Sequence, residues 1–138
     1  MRIFGHPLHA ILVAFPLGLL TLTPLWDSLE CIGLTGAHFA AYFGELAGLT
    51  LGTLAVVTGA IDFVRIPKSA GAEKVALWHA SAAVTSLCIF AVALALRSKD
   101  HTATPPVIAL EALGSFALGL TGWCGGHLVF HHRVAVRE

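Results

Sequence analysis

Eight histidines in 138 residues are the main chemistry-bearing feature of this sequence. Neutral imidazole is the commonest nitrogen ligand for zinc, copper, iron and haem. His6 and His9 are three residues apart, and His127 and His131 are four apart, so each pair falls on one face of a helix. His79 lies far from both in the chain. Asp62 suits a ligand, or an acceptor that fixes a histidine tautomer. Arg65 suits a partner for Asp62 or for a haem propionate. The competing reading is interfacial: histidines near helix ends satisfy backbone groups and lipid head groups. His101, His131 and His132 fall outside the apolar runs and read as surface residues.

A second set is acidic. Asp27, Glu45 and Glu111 are the carboxyls that interrupt the apolar segments at their other ends. Such groups either exchange protons, with a quinone or along a pump path, or make interhelical hydrogen bonds and caps. His38 is a candidate neighbour of this set.

These residues need positioning elements, and the composition says what those elements are. Hydrophobic residues make up 57% of the chain and charged residues 12%, with equal numbers of Lys+Arg and Asp+Glu. Mean hydropathy is +0.83. A soluble domain carries about 25% charged residues; half of that cannot cover a water-facing surface. Zero formal net charge excludes a broad electrostatic grip on nucleic acid. Three scattered cysteines do not make a disulfide scaffold. The chain reads as an integral membrane protein whose partner is the lipid bilayer.

Uncharged runs of about 20 residues cross the hydrocarbon core as helices. They predict four helices, near residues 7–29, 37–64, 73–97 and 105–131. Non-alternating apolar patterning excludes a barrel. Short connections, with Gly33 and Gly36, Pro67 and Gly71, and Pro105-Pro106, imply one all-α domain, an up-down-up-down four-helix transmembrane bundle. Helices 1 and 3 then begin where helices 2 and 4 finish. His6, His9, Asp62, Arg65, His79, His127 and His131 gather at that end, from all four helices. Arg2, Arg65, Lys68, Lys74, Arg133 and Arg137 share that end, against Arg97 and Lys99 at the other. This bias predicts that both termini face the cytoplasm. The first helix is too long an apolar run for a cleaved signal peptide and reads as a retained span.

Gly44, Gly48 and Gly52, and on the last helix Ser115, Gly119, Gly122 and Gly126, have the small-residue spacing that lets helix backbones approach in lipid. They predict internal packing, with a homo-oligomer seam as the alternative. Cys31, Cys88 and Cys124 read as small apolar core residues.

Several stretches together resemble a known family. They are His6-Pro7-Leu8-His9, Phe15-Pro16-Leu17-Gly18 and Asp27; Thr58-Gly59-Ala60-Ile61-Asp62-Phe63 with Ile66-Pro67; His79-Ala80; and Gly122-Trp123-Cys124-Gly125-Gly126-His127-Leu128-Val129-Phe130. The family is a set of small bacterial four-helix membrane proteins known as a domain of unknown function. Ala10 stands where the family tends to have proline, Phe63 where tryptophan is usual, and His127 where glutamate is frequent. The resemblance implies the bacterial inner membrane and supplies no reaction. Some members resemble anchors of Rieske iron–sulfur domains, which implies electron-transfer company.

The functional expectation is a redox-type membrane protein. It binds b-type haem, or non-haem iron, copper or zinc, through His9 and His79 with His6, His127, Asp62 and Arg65. The alternative is a cofactor-free accessory or anchoring subunit of a larger electron-transfer complex. No nucleophile–base arrangement or phosphate-binding glycine loop is present.

Overall fold

The computed structural model describes residues 2–3, 6–64 and 70–134, with the side chains of 8–64 and 71–134. A two-residue antiparallel pairing, β1 (Arg2–Ile3) with β2 (His6–Pro7), precedes the helices. These are α1 (Leu8–Leu12), α2 (Ala14–Cys31), α3 (Ala37–Phe63), α4 (Ala70–Leu96) and α5 (Pro105–Phe130). With α1 and α2 taken as one span, four segments of 24 to 27 residues are long and apolar enough to cross a membrane.

Proline explains the division of the first span. Pro16 has no N–H for the Leu12 carbonyl and its ring crowds that carbonyl, so the helix breaks at Val13. Pro24 likewise frees the Leu20 carbonyl, but the Thr23 hydroxyl donates to it at 2.7 Å, and the helix continues. After Cys31 the helix closes with Gly33 at φ 103°: the Leu34 N–H reaches the Leu29 carbonyl at 2.9 Å and the Gly33 N–H reaches that of Glu30 at 3.0 Å. Only a residue free to adopt positive φ closes the turn this way. At α5, Pro105 and Pro106 occupy the first turn, where no N–H is needed. The third span begins at Ala70, three residues before its expected start, because Ala72 is already buried against the bundle.

The contacts show alternating directions. Pro16 and Leu20 of α2 meet Gly52 and Gly48 of α3, so one index rises as the other falls. His79, Ser86 and Phe90 of α4 meet Thr121 and then Gly114 of α5 in the same reversed sense. Each long helix packs on its two neighbours, in the ring α2–α3–α4–α5. A Cβ at Gly48 would stand 2.7 Å from the Leu20 side chain, one at Gly52 2.7 Å from Leu87, and one at Gly114 2.8 Å from Phe90. Gly48 and Gly52 therefore admit their neighbours' side chains, as the packing reading expected, and Gly114, outside the expected rows, does the same. Gly119 and Gly122 face open space.

The apolar core is a short central layer of Leu20, Phe90 and Leu118, with Leu49 and Leu87 against it. Arg97 with its three carboxyl partners lies beyond it toward one end, and His9 and His79 toward the other. Large side chains such as Phe43, Trp78, Phe116 and Trp123 point outward, the surface a bilayer covers. Outward hydroxyls of Thr21, Ser28, Thr50 and Thr53 each bond a carbonyl one turn back. Cys31 and Cys88 are exposed rather than buried, which corrects the expectation of core cysteines. A small thiol is apolar enough for an outward face.

Candidate metal centre and buried charge cluster

At the histidine end, α1 lies on α3 and α4 on α5. The His9 ring rests on Gly59, where a Cβ would come within 2.9 Å of Cε1. Its Nδ1 donates to the Ala55 carbonyl at 2.8 Å. The same carbonyl accepts from the Thr58 hydroxyl at 3.0 Å. His79 repeats the arrangement on α5: its ring lies over Gly125, 3.2 Å from an added Cβ, and Nδ1 donates to the Thr121 carbonyl at 2.8 Å. A carbonyl only accepts, so both Nδ1 atoms carry a proton, and in the neutral ring the lone pair is on Nε2. Histidine metal ligands are prepared in this way. The two rings stand 6.1 Å apart between centroids and nearly perpendicular, at 85°.

His127 does not join them. It is exposed and groups with His131 and His132, the ligand atoms of all three lying within 4.8 Å of one another. The local backbone explains the third member. The His127 carbonyl accepts both the His131 N–H at 3.0 Å and the His132 N–H at 3.3 Å, a widened turn. Arg133 then takes φ 52° and the chain folds back, the Val134 N–H reaching Leu128 at 3.0 Å. The His131 ring stacks on His127 at 4.6 Å, and His132 meets both edge-on at 5.3 and 4.9 Å. His132 also packs over Gly71 at the start of α4. Desolvation there, then the neighbouring His131 and His127 imidazoles, lower its pKa, which favours the neutral, ligating form.

Asp62 is half-buried in the last turn of α3, three residues beyond Gly59. Arg65 and the side chain of His6 lie outside the described residues. Open grooves of about 380 and 230 Å³ flank Trp123 and His127 on the outer face of α5. Neither is lined by His9 or His79.

The opposite end holds a closed charge cluster. Arg97, one residue past α4, turns inward and bonds a carboxyl from each of the other three long helices. Nη2 donates to Asp27 at 2.5 Å and to Glu111 at 2.6 Å, Nη1 to Asp27 at 3.2 Å, and Nε to Glu45 at 2.8 Å. The Arg97 side chain and its three partners are each at most 1% exposed. Burial disfavours the guanidinium's charge, but the bonds to Asp27 and Glu45 outweigh it and raise the Arg97 pKa, so it stays a cation. Its last donor goes to the His101 carbonyl at 3.0 Å. His101, read from sequence as a surface residue, is half-buried. It adopts φ 66° and stacks on Tyr42 at 3.9 Å, drawing the α4–α5 loop over the cluster. In that loop Ser98 and Thr102 hydroxyls bond Asp100 and hold its pKa down. Nearby, the Glu30 carboxylate accepts the His38 backbone N–H at 3.2 Å and approaches its Nδ1 at 3.1 Å.

The sequence marked the three carboxyls but counted Arg97 only among the basic residues that orient the bundle. The signal lay in stoichiometry: one arginine ends one span, and each of the other three spans carries a carboxyl at the same depth. His131 and His132 read as surface residues because they fall beyond the apolar run, and helical spacing alone does not bring residue 132 over 127.

No curated protein and no solved structure matches this chain. A family model described as "Predicted membrane protein (DUF2231)" matches residues 5–138, from the first histidine motif through the last helix. A match of that extent, on a bundle of four membrane-length helices, places the chain in the DUF2231 family of membrane proteins.

Proposed function

We propose that this integral membrane protein binds a transition-metal ion at its histidine end. The observation that carries the reading is the group His127, His131 and His132, three imidazoles whose ligand atoms lie within 4.8 Å of one another. Zinc, copper and iron all take imidazole nitrogen, with Zn–N distances of about 2.0–2.1 Å. Modest rotamer changes let three such nitrogens converge on one ion and leave a fourth position open. His9 and His79, with both Nε2 lone pairs free, are an inner pair of donors. Asp62, Arg65 and His6 are the remaining candidates for that inner site.

Haem fits less well. It needs a slot between two facing imidazoles, and neither of the grooves described above opens onto His9 or His79. Quinone and Rieske-type partners belong to that haem reading and carry less weight with it. We place the protein in the bacterial inner membrane with the histidine end in the cytoplasm, which the distribution of Lys and Arg supports.

The accessory-subunit reading has its own observation: the His9 and His79 bonds tie α1 to α3 and α4 to α5, a purely structural use. Metal analysis and an absorption spectrum on natively purified protein separate the readings. We expect bound metal without a Soret band, lost when His131 and His132 are both changed to Ala, and reduced in His9→Ala or His79→Ala. A Soret band selects haem. A wild type that carries no metal, and binds none on titration with zinc, copper(II) or iron(II), leaves the accessory subunit.

A further inference from the structure

We propose that the cluster of Asp27, Glu45 and Glu111 around Arg97 is a proton-binding site that exchanges with water at its end of the bundle. The argument begins with charge. Three carboxyls face one guanidinium, so full ionisation leaves two negative charges unbalanced among groups at most 1% exposed. Uncompensated charge inside a membrane protein is costly, and a carboxyl relieves it by taking up a proton.

Hydrogen bonding points the same way. Arg97 spends every donor nitrogen on one oxygen of Glu45, one of Glu111, both of Asp27 and the His101 carbonyl. Glu45 Oε1 and Glu111 Oε2 remain buried with no donor facing them. Asp27 and Glu111 moreover accept from the same Arg97 nitrogen, Nη2, which sets the two carboxyls side by side. Two carboxylates have only acceptors to offer each other, so their closeness favours a proton on one of them. A group built only to neutralise Arg97 would need one carboxylate.

The surroundings allow exchange. The groups facing the cluster are Asp27 from α2, Glu45 from α3, Glu111 from α5, Arg97 at the end of α4, and the α4–α5 loop with His101, its ring on Tyr42 of α3. Glu30 and His38 stand at the α2–α3 turn on the same end. The α4–α5 loop meets the cluster through the His101 carbonyl, and three of its residues, Ser98, Lys99 and Asp100, are exposed. Uptake forms one carboxyl O–H bond with a proton from water, release returns it there, and no electron moves.

Infrared spectroscopy on the full chain in lipid tests the proposal. At neutral pH the wild type should show the carbonyl stretch of a protonated carboxyl, which shifts down in D2O and fades as pH rises. Glu111→Gln should remove most of that band, whereas Glu73→Gln, in the exposed first turn of α4 at the other end, should leave it. No such band in the wild type, or a band that ignores D2O, overturns the proposal. So does a band that survives Glu111→Gln in folded protein. Should Glu111→Gln fail to fold, Asp27→Asn gives the same reading, and the wild-type D2O shift and pH titration decide without any variant.

Discussion

At the scale of single residues, Arg97 and two glycines carry the sharpest expectations. Removing Arg97 leaves three carboxyls buried without their cation, and breaking a buried pair in this way costs about 3–5 kcal/mol. Arg97→Leu should therefore unfold at markedly lower denaturant, read by circular dichroism in detergent. Arg97→Lys should recover little, because an ammonium cannot span the four acceptor groups that the guanidinium reaches through Nε, Nη1 and Nη2. Gly59→Ala places a Cβ 2.9 Å from His9 Cε1 and must displace the ring. If His9 is a ligand, the variant should bind the metal roughly 10–100-fold more weakly with little change in melting, the usual cost of disturbing what orients a ligand. Unchanged affinity in a titration would make His9 a packing residue. The types of these residues were legible in the sequence. Their partners were not, because a hydrogen bond from Nδ1 to a carbonyl 46 residues away depends on which helices touch.

At the scale of elements, the helices follow from local rules and their seams from glycine. Gly48→Leu should destabilise by about 1–3 kcal/mol, since a Cβ alone would meet Leu20 at 2.7 Å. Gly119→Leu, on a face with nothing within 4 Å, should leave thermal stability in detergent unchanged. A loss at Gly119 as large as that at Gly48 would mean that another helix, from a second copy, occupies that face. Thr23→Val should cost about 1 kcal/mol by leaving the Leu20 carbonyl, already without its Pro24 donor, unsatisfied. Helix existence was readable from uncharged runs, and the ends at Gly33 and Pro105 from turn chemistry. The break at Val13 was legible only in part, because proline shows where an N–H is missing and not how far the helix opens.

At the scale of the whole molecule, the bundle separates two groups by an apolar layer: His9, His79, His127, His131 and His132 at one end, and an arginine with three carboxyls at the other. Reporter fusions after residues 2 and 134 test the orientation inferred from six basic residues against two. Both reporters should be active only in the cytoplasm. A C-terminal reporter active in the periplasm would move the proposed metal site to the other compartment. With the expected orientation, the carboxyl cluster faces the periplasmic side, and its proton exchange should respond to external pH in intact cells.

The sequence by itself determined that the chain crosses a membrane as four helices, because too few charges remain to cover a soluble surface and each uncharged run matches the bilayer. It determined as well which end each histidine and carboxyl occupies, since antiparallel helices with short connections leave one arrangement. Only the tertiary structure decided which of those neighbours meet. His9 and His79 approach because Gly59 and Gly125 lack a Cβ where their rings lie. His127 turns away from them because its helix face points outward, and a widened turn then brings His132 to it. Arg97 serves all three carboxyls because its guanidinium reaches the axis of the bundle from the end of one helix. Spacing along a helix sets the angle at which a side chain leaves its own axis. The rotation of that helix against its neighbours, which decides whether two such side chains meet, is set by packing across the bundle.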